Sequence, residues 1–450
     1  MKRIGEEFPL FGKCFVKVHH PELVEGEGTG EIFRMTRFKI VKDVFRSLEW
    51  NRRRNVLTGM IFVFLMCVVH SAPNALGREQ AGGACEKRKG LVILVEFPDI
   101  APAVDEAFVR DRFKKLDFYV REMSYGKVCT DVDLTGWHRL PDSVKRYAIS
   151  PANLQVDKSR VERLIRNAVN AADEKNDFLR YSFVVLFLGA AFKEYGMVGL
   201  CGYPGMLGWK EDVVLRTPKG QIVPGGVAIF TYQAHLGTLF HDIAHVWGGV
   251  RGGQRVLPCL YDHDIQARHP TSDAGFAEAL INMGYWDPLS CHFYKRNIPP
   301  PGISSWTKLR LGWIPEEKVR VVDPKEESEV VLGPLEDGSS ETLVIKIRLS
   351  ESTYYLIENR QPIGNFDRHL PGKGVLIMYA DDRIGECRHG ASPVRLMNAD
   401  PAVPYLQGAA FDPSGKELFV DKKNKIEIRI VERIGDSYRV RISNGKCVKP

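Results

Sequence analysis

Residues 237–249, GTLFHDIAHVWGG, decide how the rest of the chain is read. They set His241 and His245 four positions apart inside an apolar run closed by glycines. On a helix, residues i and i+4 stand one above the other on the same face, near enough to share one ion. Two imidazoles presented this way suit zinc, which takes nitrogen ligands at about 2.0–2.1 Å in tetrahedral sites. The common catalytic form of such a helix is H-E-x-x-H, with the Glu as general base toward a metal-bound water. Here that position holds Asp242, one methylene shorter. Leu239, Phe240, Ile243, Ala244, Val246 and Trp247 leave the helix apolar nearly all round, as in helices that cross the middle of a domain. Imidazoles and a carboxylate buried there need partners, and a metal is one. The bland alternative is a chance H-x-x-x-H whose histidines only pack.

At 450 residues the chain has room for two or three domains, and 44% hydrophobic with 26% charged residues is a globular composition. The net charge is +7 with no Lys/Arg stripe in the body, which gives nucleic-acid binding no support. Residues 1–50 are polar and aperiodic, and read as a disordered extension or as a start upstream of the true one, with Met35 an alternative initiator. Arg52, Arg53 and Arg54 then precede an apolar run over residues 56–69 and the small residues Ser71 and Ala72. That is a secretory pattern, and the run is shorter than the roughly 20 residues of a membrane span. Residues 51–77 are therefore a signal peptide or N-terminal anchor, and the expected location is secreted or cell-envelope. Membrane contact is expected only through an uncleaved N-terminal segment. Seven of the nine cysteines lie beyond it: Cys85, Cys129, Cys201, Cys259, Cys291, Cys387 and Cys447. Some are expected to pair after export, in a connectivity that spacing does not reveal.

Along the body, residues 91–97 (LVILVEF) read as a buried strand and residues 104–123 as a helix. A turn at Gly126 leads to a second strand, residues 157–176 form an amphipathic helix, and residues 181–188 (YSFVVLFL) form a third strand. Residues 196–209 are glycine-rich and read as a loop, and residues 227–231 as an edge strand entering the His241 helix. Strands with helices against them, carrying the histidine pair, predict an α/β arrangement. From about Val319 the pattern changes to short alternating strands with turns between them, which predicts a β-sandwich-like unit after a boundary near Pro315.

In this order, LVILVEFPD, MSYGK with GWHRLP, HDIAH, LPCLYD, GYWDPLS, SWTKLRLGW and YYLIENRQ…FDRHLPGKGVLIMYAD resemble the secreted zinc metallopeptidases of the immune inhibitor A type, over about residues 91–443. The resemblance implies an α+β zincin-like metallopeptidase domain (mixed sheet plus active-site helix, residues 78–315) and an all-β sandwich-like domain (residues 316–450). It also implies one zinc ion and a protein or peptide substrate; calcium is left unassigned. His241 and His245 match the family's zinc histidines and Asp242 its catalytic Glu. The family continues H-x-x-G-L-P-D-x-Y-D; here Gly248 is kept, an insertion follows, and Cys259 stands where the Asp ligand is expected. Unshifted spacing would put Arg251 there, and a guanidinium has no lone pair for a metal. Leu289 replaces the Met of W-D-x-M-S, a volume-conserving change.

The third ligand is thus Cys259, Asp262 or His263, with Asp264 also within reach, and Tyr261 or Tyr285 are candidates to stabilise an oxyanion. Asp242 is the gravest departure, because about 1 Å of misplacement can cost roughly 10²-fold in rate. Two functions follow. The first is an exported zinc-dependent endopeptidase working through a metal-activated water with Asp242 as base. The second is a catalytically inactive homologue acting as a binding protein.

Overall fold

The computed structural model describes residues 84–211, 215–268 and 273–445. The expected N-terminal extension, the signal segment and Cys447 lie outside the described residues. In strand β1 (Glu86–Glu96), Leu91 through Val95 have no solvent exposure on either face. Only a parallel strand covered on both sides accommodates such a run. It pairs in parallel with β2 (Val128–Arg139) and β3 (Phe183–Leu188).

Helix α1 (Glu106–Met123) starts where the Asp105 carboxylate accepts from the Phe108 N–H, and α2 (Lys158–Ala172) where Asp157 accepts from Ser159. They cover opposite faces of the sheet. Val109, Phe113 and Leu116 of α1 join Val92, Leu94, Val185 and Phe187. Val161, Leu164 and Ala168 of α2 join Leu91, Ile93, Val184 and Leu186. Helix α3 (Leu236–Gly248) lies on the α1 side, with every residue from Gly237 to Val246 buried.

Two expectations are corrected here. The glycine-rich loop contains a strand, β4 (Gly199–Tyr203), antiparallel to β5 (Val227–Thr231). The sheet order is β2-β1-β3-β5-β4, so β5 is an interior strand and β4 forms the edge. Glycines at 199 and 202 hide the strand from any propensity argument, since glycine is depleted in strands.

The C-terminal part is β-rich, as its alternation predicts. Strands β6 (Val319–Val322), β8 (Val344–Arg348), β9 (Thr353–Arg360), β10 (Gly374–Asp381) and β11 (Val394–Leu396) form one sheet, in the order β6-β8-β9-β10-β11. Strands β7 (Ser328–Leu332), β12 (Leu418–Asp421), β13 (Ile426–Ile434) and β14 (Ser437–Asn444) form another, ordered β7-β14-β13-β12. Ile345, Ile347, Ile357 and Ile377 of the first share a core with Ile428, Ile430, Val440 and Ile442 of the second. Successive strand side chains point to opposite faces. Tyr354, Leu356, Leu376 and Met378 therefore face the other way and join the core that holds Phe240 and Ile243 of α3. The β-rich part thus closes over the helix that carries the histidines.

Candidate metal centre

Helix α3 begins at His235, whose Nδ1 accepts from the Gly237 N–H, and ends at Gly249 with φ of 64°. Beyond it the chain folds back as a two-stranded hairpin, Val250–Arg251 against Gln254–Arg255. Gly252 and Gly253 turn it with φ of 57° and 74°, the positive pair a tight hairpin turn requires. The hairpin leaves Arg251 at the surface and returns the chain beneath α3, where Cys259 meets both histidines.

His241 Nε2 lies 3.5 Å and His245 Nε2 3.4 Å from Cys259 Sγ. The ligand atoms of the three residues all fall within 4.8 Å of one another, and all three residues are buried. For a tetrahedral ion with about 2.05 Å to nitrogen and about 2.3 Å to sulfur, the N···S separation is about 3.6 Å. The observed spacing would suit ligands around one ion.

Proton placement makes the same point. His241 Nδ1 is 2.9 Å from the Pro288 carbonyl and His245 Nδ1 is 2.6 Å from the Leu257 carbonyl. Each imidazole must donate there, because a carbonyl only accepts, so each Nε2 offers a bare lone pair. Two lone pairs and a sulfur then converge with at most one proton among them. A cation fits that donor set. Burial pushes the Cys259 thiol up, but His245, His241 and Arg255, when charged, draw it well below its ordinary value, so the one proton these three side chains share can pass from sulfur to an imidazole and leave the thiolate a metal prefers.

Of the rival ligands, the two aspartates are engaged elsewhere, whereas His263 lies at the site and hydrogen-bonds Cys259 as well as Glu386. Asp262 Oδ1 accepts from the Asp264 and Ile265 N–H groups and Oδ2 from Gly390. Asp264 bonds Arg388 and the His389 N–H. His263 Nε2 sits 3.4 Å from Glu386 Oε2, and Cys259 and Glu386 raise its pKa to about 9 against the effect of burial. Tyr261 is buried, with its ring stacked on His241 and its hydroxyl bonded by Asn153 Nδ2. Tyr285 lines the same cavity and packs edge-on against Tyr294 and Tyr405.

Asp242 follows His241 on the helix and also faces the cavity. Burial pushes its pKa up to about 7, while His241, Arg255 and a hydrogen bond from the Cys201 backbone oppose the rise. Its Oδ2 is buried without a hydrogen-bond partner. The carboxylate fits because β4 presents glycine: a Cβ on Gly199 would stand 2.8 Å from Asp242 Oδ2 and 2.6 Å from Thr238 Cγ2. Gly199→Ala should therefore displace Asp242 and cost about 1–3 kcal/mol, the range for overpacking a core. Urea denaturation checks this, and an unchanged midpoint would show that the strand moves aside freely.

Other groups at the site carried no local signal. Arg255 makes a two-pronged pair with Glu386, at 2.8 Å and 2.6 Å, across 131 residues of sequence. His292 lies with its ring centroid 4.5 Å from that of His241. The only available cue for His292 was its place two residues beyond WDPLS. In that turn, Asp287 Oδ2 accepts from the Ser304 and Thr307 hydroxyls, and Leu289 is fully buried. The turn thereby fixes the Pro288 carbonyl that orients His241.

All of this opens on a cavity of about 790 Å³, walled by Val198, Leu200, Phe276, Phe293 and Tyr294. No family model matches the chain, and no curated protein matches it. Among solved structures it is similar to the crystal structure of metalloproteinase-II from Bacteroides fragilis, at 12% identity and a TM-score of 0.29, over 52% of this chain and 54% of that one. The chain spans about half the length of that structure, and at this score the likeness decides neither fold nor function.

Proposed function

We propose that the chain is an exported zinc-dependent endopeptidase of the immune inhibitor A type, with His241, His245 and Cys259 as the metal's ligands. The observation that carries the reading is the convergence of two bare imidazole nitrogens and a sulfur at ligand spacing, on the wall of a cavity. Zinc held there supplies Lewis acidity, polarising a carbonyl and making a water more acidic. Three protein ligands, rather than four, are the catalytic pattern.

The remaining work falls to this chain. Strand β4 is a sheet edge whose residues 199–201 line the cavity, so an extended peptide can add to it by main-chain hydrogen bonds. Asp242, with an oxygen that no other group bonds, is the proton acceptor beside the ligands. The apolar walls admit the flanking side chains and exclude water. Export is supported by the disulfide between Cys85 and Cys129, which ties the start of β1 to β2 and belongs to an oxidising compartment.

One observation favours the second reading, a zinc-binding homologue without activity: the carboxylate at the base position is a methylene short. A peptidase assay on unfolded protein substrates separates the two. Asp242→Asn is expected to retain zinc and lose activity by about 10²-fold or more, the lower range for a general base. A zinc-loaded parent no more active than Asp242→Asn would favour the binding protein.

A further inference from the structure

Among the described residues, two buried polar atoms beside the metal centre lack a hydrogen-bond partner: Asp242 Oδ2 and His292 Nε2. The first is accounted for by the proposed proton transfer. The second is not. His292 lines the cavity, yet it is not one of the three residues whose ligand atoms converge. Its ring is fixed. Nδ1 lies 3.0 Å from Oγ1 of Thr238, which stands one helical turn before His241 and Asp242 and is itself buried. The ring packs edge-to-face with that of His241, and Phe276 lies 6.4 Å away, centroid to centroid.

Thr238 Oγ1 has no other hydrogen-bond partner among the described residues, so its hydroxyl donates to Nδ1, which leaves the imidazole proton on Nε2. Among the described residues that N–H then has no acceptor. An orphaned buried donor is costly, and one that borders a cavity, unlike the indole N–H of Trp313 in the core, can be completed by a group from outside the chain. Tyr261 is less suited to this role, since its hydroxyl is already bonded by Asn153 and lies against Cys259.

We infer that His292 is a substrate-contacting residue whose Nε2–H donates a hydrogen bond to the carbonyl oxygen of the peptide held at the His241–His245–Cys259 centre. This rests on the zinc reading above. A donor already in place where the carbonyl gains negative charge needs no reorganisation during reaction, which makes such groups effective. Thr238 is the positioning residue, acting through the His292 ring.

The test is binding of acetohydroxamic acid, a small carbonyl-bearing metal ligand, to the full zinc-loaded chain by calorimetry, with zinc content measured on each variant. His292→Phe is expected to keep its zinc and to raise Kd about tenfold. His292→Gln, which restores a donor, recovers part of the loss. Thr238→Val, nearly isosteric, raises Kd about threefold and decides the matter alone if His292→Phe does not fold. A Kd within twofold of the parent in His292→Phe, or in Thr238→Val where only that variant folds, would overturn the inference. So would loss of zinc from folded His292→Phe, which would make His292 a ligand. A parent that holds no zinc would instead sink the metal reading itself, and this contact with it.

Discussion

Replacing Arg360 by Leu should lower the stability of the fold by about 3–5 kcal/mol, the cost of stripping one partner from a buried ion pair. Arg360 has no solvent exposure, and all five of its N–H groups are used. Nε and Nη2 bond Asp367 at 2.8 Å and 2.7 Å, Nη1 reaches Glu358 and the Trp286 carbonyl, and Nη2 also reaches the Gly302 carbonyl. The leucine variant would leave Asp367 and Glu358 in an apolar interior with their charge uncompensated. Lysine would not rescue it, because an ammonium lacks the planar fork that serves these acceptors together. The same bonds bind β9 to the segment between Trp286 and Gly302, which carries Pro288 and His292. A fall in the urea midpoint should therefore come with weakened zinc binding. A change below about 1 kcal/mol would show that the network relaxes around the loss.

Cys259→Ala should reduce zinc affinity by at least about 10²-fold, since removing even an outer partner of a ligand costs 10–100-fold. The fold should survive, because the side chain removed is small and its neighbours in that cluster, Ala277, Ala279 and Leu280, stay packed. Asp262→Ala, by contrast, should keep its zinc, because that carboxylate is spent on capping the turn His263–Gln266 and on the Gly390 N–H. Zinc content of the two variants after dialysis checks both statements. Equal retention in both would remove Cys259 from the ligand set.

How far the sequence reached depended on how local each signal was. Helix α3 was legible because His241, Asp242 and His245 interrupt an otherwise largely apolar helix, and buried polar groups ask for a reason. The strands β1 and β3 were legible as apolar runs that only a doubly covered sheet can hold. Strand β4 was not: Gly199 is there to make room for Asp242, so a site requirement overrode strand propensity and made β5 look like an edge. The third ligand was narrowed to a few neighbours and no further. What separates Cys259 from Asp262 is a turn cap and a bond to Gly390, 128 residues away in sequence. The Arg255–Glu386 pair and the contact of His292 with Thr238 are equally non-local, created by the β-rich part and the WDPLS turn closing on the helix.

The central claim is a metal held by two imidazoles and a thiolate, and zinc K-edge X-ray absorption on the purified chain tests it most directly. The expected spectrum has one sulfur near 2.3 Å and nitrogen scatterers near 2.0–2.1 Å. A shell of nitrogen and oxygen alone, or a chain that retains no zinc at all, would contradict it.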